Sequence, residues 1–83
     1  MGLMPFNVGL VSIDYHPAFR SVLMVYEPDS EYDLKEILAY VHDMTGGTSR
    51  QVQIYEGDKL MHDIKHMGTA GWVNIAKGQG NGL

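Results

Sequence analysis

The sequence predicts an α+β domain, in which an antiparallel sheet of four or five strands carries one main helix packed on one face. Three observations predict this class: two apolar, strand-like runs near the start, one amphipathic segment in the middle, and a glycine-centred turn after it. The predicted order is ββαββ, with a further strand expected near the C-terminus. We expect residues 1–77 to form a single domain and the glycine-rich residues 78–83 to form a flexible tail.

The first two strands are predicted at residues 8–15 and 21–27, because their Val, Ile and aromatic residues suit a pleated sheet. The connector, residues 16–20, contains Pro17, which fits a turn and does not fit a central strand. These two strands are therefore expected to form an antiparallel hairpin.

The helix is predicted at about residues 31–45. Apolar residues recur there at the i, i+3, i+4 and i+7 positions that share one helix face. This stripe consists of Leu34, Ile37, Leu38 and Val41. Ser30 is the expected N-cap, and together with Asp33 it approximates a capping box. Gly46 and Gly47 are expected to end the helix.

The turn Glu56-Gly57-Asp58-Lys59 follows a predicted strand at residues 51–56. Glycine at the first central position favours a type II′ hairpin, which would place Glu56 opposite Lys59. Residues 59–67 have two interpretations, because their apolar spacing favours a helix and the turn favours a second hairpin strand. The turn is the more local signal, so we prefer the hairpin. A last strand is predicted at residues 72–77.

Composition excludes several classes of function. The 83 residues contain no Cys, which excludes disulfide frameworks, thiolate zinc sites and cysteine nucleophiles. Six Lys and Arg against ten Asp and Glu give a net charge of −4, which argues against direct binding to nucleic acid or to anionic membranes. We find no targeting or membrane-spanning segment, so a cytoplasmic location is expected. The small core of so short a chain makes a homo-oligomer an alternative to a monomer.

An acidic run with interspersed tyrosines is the first candidate functional feature. Its predicted partner-binding residues are Glu27, Asp29, Glu31, Tyr32, Asp33, Glu36 and Tyr40. Carboxylates steer basic partners, and tyrosine is enriched at the cores of interfaces. The first hypothesis is therefore a small non-enzymatic interaction protein, an inhibitor or regulator of the kind phages direct at host factors, that binds a basic surface of another protein. A solvated helix N-terminus is the ordinary alternative. On this hypothesis, Asp29→Lys with Asp33→Lys is expected to weaken binding and leave the fold intact.

The histidines suggest two other hypotheses. On a helix, His62 and His66 would share one face about one turn apart, a spacing that suits zinc, and on a strand they would also share one face but lie farther apart. A metal- or small-ligand-binding module is the second hypothesis, with a third ligand from Asp63, His42 or His16. An oligomeric enzyme is the third, but His42 and its neighbour Asp43 would not face each other on a helix. We predict no catalytic residue and no cofactor, and two ordinary polar histidines are the simplest interpretation.

Overall fold

A computed structural model describes residues 8–75 of the chain. It contains five strands, one α-helix and one 3-10 turn, which confirms the α+β class. In chain order these elements are β1 (Leu10–His16), β2 (Ser21–Tyr26), α1 (Leu34–Met44), β3 (Gln51–Glu56), β4 (Lys59–His66), the 3-10 turn (Gly68–Ala70) and β5 (Trp72–Asn74). The strands lie in one sheet in the order β1-β2-β3-β4-β5. The predicted tail at 78–83, and the end of the last predicted strand at residues 76–77, fall outside the described residues.

The sheet is mixed, and the prediction of a wholly antiparallel sheet is wrong at one pair of strands. β2 and β3 pair in parallel, whereas β1–β2, β3–β4 and β4–β5 are antiparallel. The helix between β2 and β3 has 11 residues, so it spans about 16 Å and returns the chain along the length of a strand. β3 therefore begins at the end of the sheet where β2 begins, as in other strand–helix–strand crossovers.

Helix α1 begins three residues later than the sequence predicts, and Asp33 rather than Ser30 is its N-cap. The Asp33 carboxylate accepts a hydrogen bond from the backbone N–H of Lys35 at 2.9 Å. Ser30 is used in a turn instead, where its hydroxyl donates to the carbonyl of Glu27 at 2.7 Å. Asp29 has a φ of 65°, a left-handed conformation that does not continue into a helix. The predicted stop is confirmed, since the helix ends at Met44 before Gly46 and Gly47.

Both predicted hairpins form. The turn of residues 57–58 joins β3 to β4, and Glu56 lies opposite Lys59 as expected. Gly57 has a φ of 62°, which suits the first central position of a type II′ turn. Residues 59–66 are a strand, so the preferred interpretation of this segment is confirmed and the helical one is wrong. The β1 strand starts at Leu10 and not at residue 8, because residues 8 and 9 form a turn in which Gly9 has a φ of 82°.

The core lies between α1 and one face of the sheet. Ile37 and Val41 of the predicted helix stripe are fully buried, and Leu34 and Leu38 pack against their cluster. Alternate residues of the central strands complete the core, as a sheet with a period of two requires. These strand residues are Val22, Met24, Tyr26, Val52, Ile54 and Ile64.

Candidate functional site: the acidic end of the sheet

The parallel pairing of β2 and β3 brings two distant chain segments to one end of the sheet. Tyr26 and Glu56, the last residues of these strands, are register partners. The backbone N–H of Gly57 donates to the carbonyl of Tyr26 at 2.9 Å. The connection from β2 to α1, residues 27–33, therefore lies beside the β3–β4 turn.

This arrangement concentrates carboxylates at one end of the molecule, which we call the acidic end. It comprises Glu27, Asp29, Glu31, Asp33, Glu36, Glu56 and Asp58. These are seven of the ten acidic residues, and the lysines in the same segments are Lys35 and Lys59. Glu56 and Asp58 are not among the predicted partner-binding residues, because no local pattern indicates that β3 ends beside β2.

Glu56 connects the two segments of the acidic end. One oxygen of its carboxylate accepts a hydrogen bond from the backbone N–H of Asp29 at 3.1 Å. The other accepts from the Tyr32 hydroxyl at 3.3 Å. Glu56 therefore fixes the course of the connection before α1, in addition to contributing negative charge.

Two tyrosine rings pack against each other at the acidic end. The rings of Tyr26 and Tyr32 lie with their centroids 4.5 Å apart, and Tyr26 is completely buried. Burial, and secondarily Tyr32, raise the pKa of Tyr26 from 10.0 to about 12. Burial also raises the pKa of Tyr32 to about 12, with further contributions from the charge of Glu56 and the hydrogen bond to it. Both phenols are therefore neutral at physiological pH.

A cleft of about 420 Å³ opens beside Tyr32. Among the described residues, its walls are Val8, Glu31, Tyr32 and Asp33. Val8 is 57% exposed, so an apolar side chain and an aromatic ring are accessible between two carboxylates. This combination suits a long cationic side chain, whose apolar stem and charged head need different surroundings.

The predicted partner-binding residues do not contribute equally to this surface. Most of their carboxylates are exposed, whereas Tyr32 and Glu36 are half-buried. Glu36 Oε1 is buried and accepts no hydrogen bond from the described residues, which is rare for a carboxylate oxygen. Tyr40 is 38% exposed and lies in the second half of α1, away from the cleft lining.

Two of the acidic residues have roles in the backbone conformation, so reversing their charge would change stability as well as binding. Asp33 caps α1, and Asp29 adopts a left-handed conformation that aspartate tolerates better than lysine. The double reversal of Asp29 and Asp33 would therefore disturb the fold as well as the charge. Glu31 and Asp58 are exposed and make no hydrogen bond through their carboxylates in the described part of the chain. They are the better positions for charge reversal.

The histidines are distributed over the molecule. His62 and His66 lie on one face of β4, about 13 Å apart along the strand. His62 Nδ1 is 2.8 Å from the side-chain nitrogen of Asn74, and the His66 ring packs edge-on against Trp72. His16 at the end of β1 and His42 in the last turn of α1 lie toward the end of the sheet opposite the acidic end, as His66 does. Within residues 8–75, no three His, Cys, Asp or Glu side chains are placed to hold a metal ion.

Comparison with known proteins gives no information on the function of this chain. No family model, no curated protein and no solved structure matches this chain. Among residues 8–75, no helix is both long enough and apolar enough to cross a membrane.

Proposed function

We propose that this protein is a small, non-enzymatic interaction module that binds a basic surface of another protein through its acidic end. The observation that carries the proposal is the assembly of seven carboxylates from two chain segments at one end of the sheet, two of which, Glu31 and Asp33, line a cleft beside Val8 and Tyr32. A solvated helix N-terminus accounts for Asp33 and Glu36. It does not account for Glu56 and Asp58, which come from a different hairpin.

The charge of this end supports recognition of a basic partner. Seven carboxylates against two lysines leave a local charge of −5, which exceeds the −4 of the whole chain. Concentrated charge of one sign accelerates encounter with a partner of the opposite sign and fixes its orientation. The exposed carboxylates of Glu31 and Asp58 are available for this role.

The cleft supplies a place for one anchoring residue of the partner. An Arg or Lys side chain would lay its stem on Val8 and the Tyr32 ring and bring its charge to Glu31 and Asp33. Tyr32 is suited to this contact because Tyr26 and Glu56 hold its ring and hydroxyl in place. A prepositioned aromatic side chain loses little conformational entropy on binding.

A protein that covers a basic site in this way would act as an inhibitor or regulator. Basic protein surfaces commonly bind phosphate groups, so a compact carboxylate cluster could compete with nucleic acid for the same site. Inhibitors that phages direct at host factors are one class that fits this description. We place this activity in the cytoplasm, in keeping with a chain that has no cysteine.

The test compares two double charge reversals in a tagged pull-down from lysate of the source cells. Glu31→Lys with Asp58→Lys reverses two exposed charges of the acidic end. Asp14→Lys with Asp43→Lys is the matched control, because it changes the net charge equally at exposed positions outside the acidic end. We expect wild type and control to retain a stoichiometric protein partner that moderate salt releases, and the Glu31/Asp58 variant to lose it.

Circular dichroism and thermal unfolding of both variants would show that each is folded. Equal capture by the two variants would overturn the proposal, because the acidic end would then contribute nothing specific. Loss of capture in both variants would also count against it, since net charge alone would explain the binding.

A further inference from the structure

The opposite end of the sheet has a complementary character. We call it the basic end and define it by its arginine, lysine and histidine side chains. These are His16, Arg20, His42, Arg50, Lys65 and His66. With the histidines neutral, the two arginines and Lys65 outweigh Asp43 in the last turn of α1 and give this end a local charge of +2. The two ends of the sheet therefore carry charges of opposite sign.

Backbone hydrogen bonds hold three segments of the basic end together. The N–H of Arg50 donates to the carbonyl of Arg20 at 2.6 Å, and the N–H of His66 donates to the carbonyl of Arg50 at 2.9 Å. The start of β2, the start of β3 and the end of β4 are thereby fixed side by side. Their side chains project from a rigid base.

This end also exposes large apolar side chains. Phe19 is 79% exposed at the tip of the β1–β2 turn, Met67 is 51% exposed after β4, and Met44 is 40% exposed at the end of α1. Apolar groups beside cations are typical of an interface and unusual for a purely solvated surface. Phe19 is the most exposed large apolar side chain among the described residues.

The tip of the basic end matches the cleft of the acidic end in chemistry. Phe19 and Arg20 are adjacent, so one aromatic ring and one guanidinium project from the same turn. The cleft pairs apolar walls, Val8 and Tyr32, with two carboxylates. Its volume of about 420 Å³ is within the range of about 300–1,000 Å³ found for small-ligand sites. It can therefore receive a phenyl ring.

We propose that the basic end of one copy binds the acidic end of a second copy, head to tail, with Phe19 in the cleft and Arg20 against its carboxylates. The charge complementarity of the two ends identifies a second copy as the occupant. This inference rests on the proposed function, because it assigns one partner to the same acidic end. Self-association would keep that end covered until a stronger basic partner displaces the second copy.

Such a contact uses two different surfaces, so two copies cannot satisfy it mutually as in a two-fold dimer. Each added copy leaves one free acidic end and one free basic end, and the assembly grows beyond a dimer, into a ring or a filament according to the rotation between neighbours. Each interface is small and largely charged, which places it in the weak class and makes it sensitive to salt. We expect association only at high protein concentration and low ionic strength.

Sedimentation equilibrium tests the wild-type chain from about 10 μM to about 1 mM. At about 50 mM salt, the average mass is expected to rise with concentration above twice 9.3 kDa. At about 500 mM salt, it is expected to remain monomeric. Arg20→Glu with Lys65→Glu should raise the dissociation constant about tenfold or more. Lys35→Glu with Lys59→Glu gives the same net charge but makes the acidic end more negative, so it should strengthen association rather than weaken it.

A mixing experiment identifies the two surfaces. The Arg20/Lys65 variant keeps an intact acidic end, and the Glu31→Lys, Asp58→Lys variant keeps an intact basic end. Each alone is expected to be monomeric, and their mixture is expected to form a 1:1 heterodimer that grows no further. Phe19→Ala should weaken association of the wild-type chain, and Phe19→Leu should restore most of it, since leucine still fills the cleft.

A wild-type chain that stays monomeric at about 1 mM and low salt, or a mixture of the two variants that forms no heterodimer, would overturn head-to-tail association. The proposed function is tested separately by the pull-down, in which the Arg20/Lys65 variant retains the acidic end. Capture of a salt-released partner by that variant, without self-association of the wild type, would overturn this inference and support the proposed function. Self-association of the wild type, without capture of any other protein, would support the second copy as the partner and count against the proposed function.

Discussion

The acidic and basic ends of the sheet are held by different kinds of hydrogen bond. At the acidic end, charged side chains make the structural contacts: Glu56 binds Tyr32 and the Asp29 backbone, and Asp33 caps α1. At the basic end, hydroxyl groups and the backbone make most of them, and Arg50 is the cation that also contributes, through donation to the carbonyls of Gly47 and Ser49 at 2.9 Å. Thr45 donates to the carbonyl of Val41 at 2.8 Å, for example. Charge and stability are therefore coupled at one end and largely separate at the other.

The hydroxyl network of the basic end shows how this separation is achieved. The Tyr15 hydroxyl lies 2.6 Å from the Thr48 hydroxyl, which itself donates to the carbonyl of Thr45 at 2.8 Å. Exposed cations such as Arg20 and Lys65 take no part in this network. Substitutions of these cations should change the surface alone, whereas several acidic-end substitutions should change stability as well.

The largest expected effect compares the two ends of β2. Tyr26→Ala at the acidic end removes the largest fully buried side chain and its contact with Tyr32. We expect a loss of about 3–5 kcal/mol in the free energy of unfolding. Val22→Ala, at the basic end of the same strand, removes only two carbons and should cost about half as much. Urea unfolding of both variants measures the difference. Equal losses would show that the contact between Tyr26 and Tyr32 has no special structural role.

Ionisation of Tyr26 and Tyr32 at high pH should lower the free energy of unfolding of the whole protein. The folded-state pKa values of Tyr26 and Tyr32, about 12, lie above the ordinary value of 10.0. The folded protein therefore holds these protons more tightly than the unfolded chain, so their contribution is complete below pH 10 and is lost as pH rises toward 12. Each pKa unit corresponds to about 1.4 kcal/mol, so Tyr26 should contribute a loss of about 2–3 kcal/mol over this interval.

Urea midpoints measured between pH 8 and pH 12 test this expectation, with Tyr32→Phe as the comparison. That variant has one fewer titrating phenol and should lose stability less steeply with pH. A Tyr32→Phe curve parallel to that of the wild type would refute the assignment of part of the slope to Tyr32.

The smallest expected effect separates charge from capping at the start of α1. Asp33→Ala removes the N-cap and should cost about 1 kcal/mol. Asp33→Asn removes the charge but keeps an oxygen that can accept from the Lys35 N–H, so its cost should be smaller. Thermal unfolding of the two variants at neutral pH provides the measurement. Equal losses for Asn and Ala would mean that the charge, and not the cap, matters there.

Local sequence signals predicted most of the fold. The stripe of Ile37 and Val41, the Gly57 turn and the strand from 59 onward all depend on residues close together in the chain. Ser30 and Asp33 are both good caps by type, so the choice between them depended on the Ser30–Glu27 contact, which no local pattern indicates.

The parallel pair could not be predicted from strand composition. β2 is a continuous apolar run after Ser21 and β3 alternates polar and apolar residues, and neither pattern specifies a direction. The direction follows from the length and docking of α1, which are tertiary properties. The membership of Glu56 and Asp58 in the acidic end follows from the same pairing, so it was missed for the same reason. The acidic run itself, from Glu27 to Glu36, was visible in the sequence.

The parallel seam between β2 and β3 also has a consequence for how the chain folds. All other strand pairs join neighbours in sequence through connectors of two to five residues, whereas β2 and β3 are separated by residues 27–50. Short connections close quickly, and long ones slow the approach to the folded state. We expect two units to form early, the β1–β2 hairpin (residues 10–26) and the three-stranded unit of β3, β4 and β5 (residues 51–74). Docking of α1 across the seam would then be the rate-limiting step that makes them one cooperative structure.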